Sequence, residues 1–143
     1  MVNTYSNNYL ENQIKSASPE QLLIMFYDGA IRFVSQAIKA IEENNIEKRN
    51  YSCNKACAII SELNATLDHK IGGKVAADLN LLYDYMIREL HSANSSSNSD
   101  KARHIEKMLF DLRETWKKAV DLNKQSHQPK TPDKQYRPFS AAM

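Results

Sequence analysis

The sequence predicts an all-α fold: an antiparallel up-down four-helix bundle, preceded by a short N-terminal arm or helix and followed by a disordered C-terminal tail. Three observations predict it. Glycine occurs only 3 times in 143 residues and aromatics make up 8%, which disfavours a turn-rich β-sandwich or barrel. Four stretches repeat apolar residues at spacings of three and four, the period of one helix face. Residues that start and stop helices separate those stretches. The length suits one domain with one core: an arm over residues 1–17, the bundle over 18–124 and the tail over 125–143.

Residues 1–15 are polar, with Tyr5, Tyr9, Leu10 and Ile14 scattered through them. Ser18-Pro19-Glu20-Gln21 is a helix start, with Ser18 as cap, proline at the first helical position and Gln21 placed for a capping box. The first bundle helix runs to about Glu43, where Asn44 and Asn45 break it. The second runs from Ile46 to about Lys70, through Cys53, Ala56, Ile60, Leu63 and Leu67. Gly72-Gly73 is expected to stop it, because glycine adopts the left-handed conformation that ends helices. The third spans Val75 to Ala93 on Leu79, Leu82, Met86 and Leu90. Asn94 to Asp100, rich in serine and asparagine, is a turn. The fourth runs from about Asp100 to Lys124, with Ile105, Met108, Leu109, Leu112, Trp116, Ala119 and Val120 on one face. Residues 125–143 hold three of the four prolines and carry no helical pattern.

The charge balance excludes some functions. Residues 125–143 carry Lys130, Lys134 and Arg137 against Asp133, which accounts for the whole net charge of +2. The remainder is neutral and offers no footprint for nucleic acid. The polar first residues lack the apolar core of a signal peptide, and no apolar run approaches the roughly 18–20 residues of a membrane span. A cytoplasmic protein with no membrane span is expected.

Chemistry is sparse. Cys53 and Cys57 share a helix face with no histidine nearby, the pattern of small buried residues in a reducing compartment. His69, His91, His104 and His127 form no HExxH or i,i+4 pair, and no Glu-x-x-His exists for a di-iron bundle. Asp28 and Asp84 each follow a tyrosine, but no nucleophile, phosphate-binding loop or metal set accompanies them. No enzyme, metal site or cofactor is expected.

What stands out is apolar width. Advancing 100° per residue from Leu22, Leu22, Phe33, Phe26, Ala37, Ala30, Leu23, Ile41 and Val34 fill about 0° to 120°. Tyr27, Ile38, Ile31 and Ile24 continue the arc to about 200°. A bundle helix needs an apolar face only somewhat wider than 100°, so this second stripe calls for a cover. Leu81 and Tyr85 are set off similarly in the third helix, as is Phe110 in the fourth. Contact with a second neighbouring helix, or with the arm, accounts for any one of these residues. The whole set points to a groove for a segment of another chain.

Two blocks carry a resemblance. Tyr9 to Phe33, "YLENQIKSASPEQLLIMFYDGAIRF", resembles the N-terminal signature of the FliS family, the flagellin-specific export chaperones. Leu67 to Asn94, "LDHKIGGKVAADLNLLYDYMIRELHSAN", is similar to its second signature, and the lone Trp116 in the last helix also fits. The resemblance covers about residues 5–122, and nothing is carried onto the tail.

The resemblance implies a cytoplasmic bundle that binds the C-terminal segment of flagellin, prevents its premature polymerisation and keeps it competent for flagellar export. It implies an arm, matched at Tyr9 and Ile14, that covers part of the groove when no client is bound. Other flagellar regulatory or export proteins are further partners it allows. The expected partner-binding residues are Tyr9, Ile14, Ile24, Tyr27, Ile31, Ile38, Leu81 and Tyr85. The competing reading is a structural bundle that self-associates through the same face; light scattering separates the two.

Overall fold

A computed structural model of the protein describes residues 4–126. The expected disordered tail lies outside the described residues beyond Ser126, and of Tyr5 only its place in a helix is described. The described residues form five helices: α1 (Thr4–Ser16), α2 (Pro19–Glu42), α3 (Ile46–Ala65), α4 (His69–Ser96) and α5 (Ser99–Ser126). α2 packs on α3 and α5, and α4 packs on the same two, giving a four-helix bundle in cyclic order. α1 forms no packed pair of comparable extent with any of them. Its side chains from Asn8 to Ser16 are all exposed.

Local chemistry sets most boundaries. The backbone N–H of Gln21 donates to Ser18 Oγ at 3.1 Å, and that of Ser18 donates to Gln21 Oε1 at 3.0 Å. This capping box starts α2 as the sequence predicts. Asn44, with φ of 57°, turns the chain after α2, and Asn45 Oδ1 accepts from the Lys48 N–H to start α3. Asn98 Oδ1 accepts from the Asp100 and Lys101 N–H groups ahead of α5. The turn expected over Asn94 to Asp100 shrinks to Ser97 and Asn98.

One boundary departs from expectation. α3 ends at Ala65, not near Lys70, and the glycine pair does not end it. Asp68 caps the next helix by accepting from the Ile71 N–H at 3.0 Å, so helical geometry resumes at His69. Gly73 then kinks α4, with φ 51° and ψ −122°, a conformation open essentially to glycine alone. Val75, the expected start of this helix, is 48% exposed beyond the kink, and Ala76 is buried.

The core is built from residues three and four apart on every bundle helix. α2 contributes Leu23, Tyr27, Ala30, Val34, Ile38 and Ile41; α3 contributes Ala56, Ile60 and Leu63. α4 adds Leu79, Tyr83, Met86 and Leu90; α5 adds Ile105, Leu109, Trp116 and Val120. In α2 the core runs along the middle of the 200° arc and not along one end of it. The helix touches two neighbours, so Leu22, Phe26 and Phe33 flank the core on one side and Ile24 and Ile31 on the other.

Candidate functional site

Tyr27 and Ile38 are therefore core residues, which corrects their expected place in a partner groove: Tyr27 is 0% exposed and Ile38 6%. The Tyr27 hydroxyl lies 2.5 Å from that of Tyr83 and accepts the Trp116 Nε1–H at 3.0 Å. A buried phenol needs such partners, and this trio ties α2, α4 and α5 together. Burial pushes both phenols above their ordinary ionisation range, and the mutual contact of the pair adds to the rise for Tyr83.

The aspartates after these tyrosines reach across to neighbouring helices. Asp28 on α2 accepts from the Arg113 guanidinium of α5 at 2.5 Å. Asp84 on α4 accepts from Asn64 Nδ2 of α3 at 3.3 Å. Each Tyr-Asp pair thus joins the bundle twice, once through the buried phenol and once through the less buried carboxylate. Arg49 Nε donates to Asn94 Oδ1 at 2.7 Å and Arg49 Nη1 to Ser97 Oγ at 2.7 Å. Asn94, the last residue of the Leu67 to Asn94 block, is therefore part of a clamp between the start of α3 and the end of α4.

The remaining expected site residues do reach the surface, on different sides. Ile24, Ile31 and Tyr85 are half-buried against the core, while Leu81 is 66% exposed on α4. Tyr85 meets His104 edge to face with ring centroids 6.3 Å apart. Tyr9 and Ile14 are exposed on α1.

Two clefts border α1. One, of about 360 Å³, is lined by Leu10 and Ile14 of α1, Leu22, Met25 and Phe26 of α2, and Ile59 of α3. The other, of about 490 Å³, lies at the foot of α1 and brings Ile24 and Met25 to Arg113, Lys117 and Val120 of α5. Gln13 and Met25 line both, so the clefts adjoin. Ile31, Leu81 and Tyr85 line neither. The arm thus faces the α3 side of α2 along Leu10 and Ile14, and at its foot it borders the stripe at Ile24. Leu22 and Phe26 read as core on a helical wheel, and the periodic pattern does not single out Met25 or Ile59.

Cys53 and Cys57 are buried free thiols. Burial, with Cys53 as a neighbour, pushes Cys57 up to about 12, so it stays protonated and unreactive. Among the described residues no group of three or more His, Cys, Asp or Glu side chains could hold a metal ion. No described helix is long and apolar enough to cross a membrane. The arrangement offers shaped apolar surface on a packed bundle.

A family model described as flagellar protein FliS matches residues 1–123. The chain belongs to the FliS family. It is similar to the flagellar secretion chaperone FliS of Bacillus subtilis (strain 168), at 36% identity over 78% of this chain and 83% of that protein. It is also similar to the proteins of that name from Salmonella typhimurium, at 35% identity over 81% of this chain and 87% of the relative, and Campylobacter jejuni, at 38% over 78% and 87%. FliS membership places the chain among secretion chaperones and not among enzymes.

Proposed function

We infer that this FliS-family chain is a cytoplasmic chaperone for flagellin. It binds the C-terminal segment of the flagellin chain, prevents premature polymerisation and holds the client ready for export. The observation that carries the reading, beside the family match, is the apolar surface left on a bundle whose core is already complete. Ile24 and Ile31 on one side of α2, Leu22, Phe26 and Ile59 on the other, and Leu81 with Tyr85 on α4 offer separate stretches of that surface. An extended or helical client can span them by wrapping round the bundle.

Outside the buried trio, the inter-helix ion pairs Asp28–Arg113 and Glu42–Arg103 are at least partly exposed, so they carry little of the stability of the bundle. The test is co-purification with a peptide from the flagellin C-terminus, set against the same peptide with its apolar anchors replaced by serine. Retention of the first and loss of the second is expected. Equal retention of both, or of neither, contradicts the reading.

A further inference from the structure

Where α2 packs on α3, two aromatic rings meet between two cations. The Phe33 ring of α2 meets the Tyr51 ring of α3 edge to face, with centroids 6.2 Å apart. The Arg32 guanidinium lies 5.4 Å from the centre of the Phe33 ring, and Lys55 Nζ lies 5.6 Å from that of Tyr51. Phe33 is half-buried against the core, whereas Tyr51 is 53% exposed and no part of the core.

The aromatic pair lies between two recesses. Arg32 also lines the cleft of about 360 Å³ that holds Phe26 and Ile59. Tyr51 lines a shallow hollow of about 400 Å³ with Asn45, Glu47 and Lys48. Charge along this face is one-sided. Among the described residues Arg32, Lys48 and Lys55 enter no ion pair. The acidic side chains that line the recesses are Asp28 and Glu47, and Asp28 is already held by Arg113. Three uncommitted cations therefore meet one uncommitted carboxylate, around a floor of aromatic and aliphatic side chains.

We propose that this face docks an acidic segment of a partner protein, one that carries an aromatic or aliphatic anchor. The anchor rests on Phe33 and Tyr51, while the carboxylates beside it accept from Arg32, Lys48 and Lys55. Hydrogen bonds between such charges are stronger than neutral ones, and complementary charge selects a partner and speeds its approach. The aromatic floor supplies the desolvated area that charge alone does not. A nucleic-acid strand fits less well. Residues 1–124 carry no net charge, Glu47 repels phosphates, and the recess beside Arg32 is lined largely by apolar side chains. Phe33 and Tyr51 are not among the residues given to the flagellin client above, so the site stands or falls apart from that reading.

The full chain is titrated, with fluorescence anisotropy as the readout, against a labelled peptide that repeats glutamate, glutamate, leucine and phenylalanine. The inference expects this peptide to bind at least tenfold more tightly than three controls. These are the same peptide with lysine for glutamate, the same peptide with serine for leucine and phenylalanine, and a labelled oligothymidylate. Arg32→Glu with Lys55→Glu should weaken binding of the acidic peptide tenfold or more. Lys107→Glu with Lys118→Glu, an equal change of charge on α5, should alter it less than twofold. All four side chains are exposed, and a circular dichroism melt checks that each variant folds. Tyr51→Ser should weaken binding fivefold or more, and Tyr51→Phe should keep it. The unchanged chain gives a readout that needs no variant: raising salt from about 50 to about 300 mM should weaken binding threefold or more. No binding of the acidic peptide, or a control bound as tightly, overturns the site, and an equally bound oligothymidylate makes the face a nucleic-acid surface instead. Equal losses from the two glutamate pairs, a silent Tyr51→Ser or an affinity indifferent to salt also overturns it.

Discussion

The hydroxyl oxygens of Tyr27 and Tyr83 meet 2.5 Å apart in the centre of the bundle, joining α2 to α4 across 56 residues of sequence. Tyr27 is the hub, since it also accepts from Trp116. Tyr27→Phe removes both interactions and is expected to cost about 1–3 kcal/mol, whereas Tyr83→Phe removes one and costs about 1 kcal/mol. Urea denaturation of the two variants checks the order. Equal losses would mean that Tyr27 and Trp116 are not coupled through this oxygen.

Alkaline pH acts on the same interior. Burial raises Tyr27 and Tyr83 above their ordinary value of 10.0, and Cys57 from 9.0 to about 12. The folded chain then keeps protons that the unfolded chain releases. Stability is therefore full below about pH 9 and falls as pH rises, first as the unfolded thiols ionise and then the phenols. The slope approaches about 1.4 kcal/mol per pH unit for each such group. Denaturation midpoints from pH 8 to 11 should show this decline, and Cys57→Ala should flatten its first part. A level profile contradicts the buried placement.

Gly73 tests the kink in α4. An added Cβ would meet nothing within 4 Å, but φ is +51°. The cost of Gly73→Ala is therefore conformational, about 1–3 kcal/mol. A thermal melt reads it directly, and an unchanged midpoint would mean that the helix straightens there without penalty.

The legible parts of this fold are local. The Ser18 and Gln21 capping box, the asparagine break after α2 and the helical periods all lie within a few residues of their cause. The end of α3 was less legible, because the Asp68 cap competes with the glycine signal and wins. The core axis of α2 was less legible again. An apolar arc of about 200° says that the helix has two neighbours, but only the positions of α3 and α5 show where its middle lies. Tyr27 falls on the second stripe when the core is set at the Leu22 end of the arc; its partners sit on α4 and α5, far away in sequence.

The Arg49–Asn94 clamp and the Asp28–Arg113 pair make a paired comparison. Asn94 lies half-buried and accepts a charge-assisted hydrogen bond, so Asn94→Ala is expected to cost about 1.5–3 kcal/mol. Asp28 is 48% exposed in its pair, and Asp28→Ala should cost below about 1 kcal/mol. Chemical denaturation of both variants ranks them, and the reverse order would place the inter-helix register in the ion pair.

Surface and core assignments separate in one experiment. A flagellin C-terminal peptide is titrated by calorimetry into the full chain, into Ile31→Ser with Tyr85→Ser, and into Ile38→Ser, with a circular dichroism melt of each. The account predicts that the first variant binds about tenfold or more weakly, a loss of about 1.4 kcal/mol or more, and keeps most of its melt. Ile38→Ser should lose its melt instead. Undiminished binding by the first variant, or a collapsed melt for it, contradicts the claim that these side chains form partner surface on a finished core.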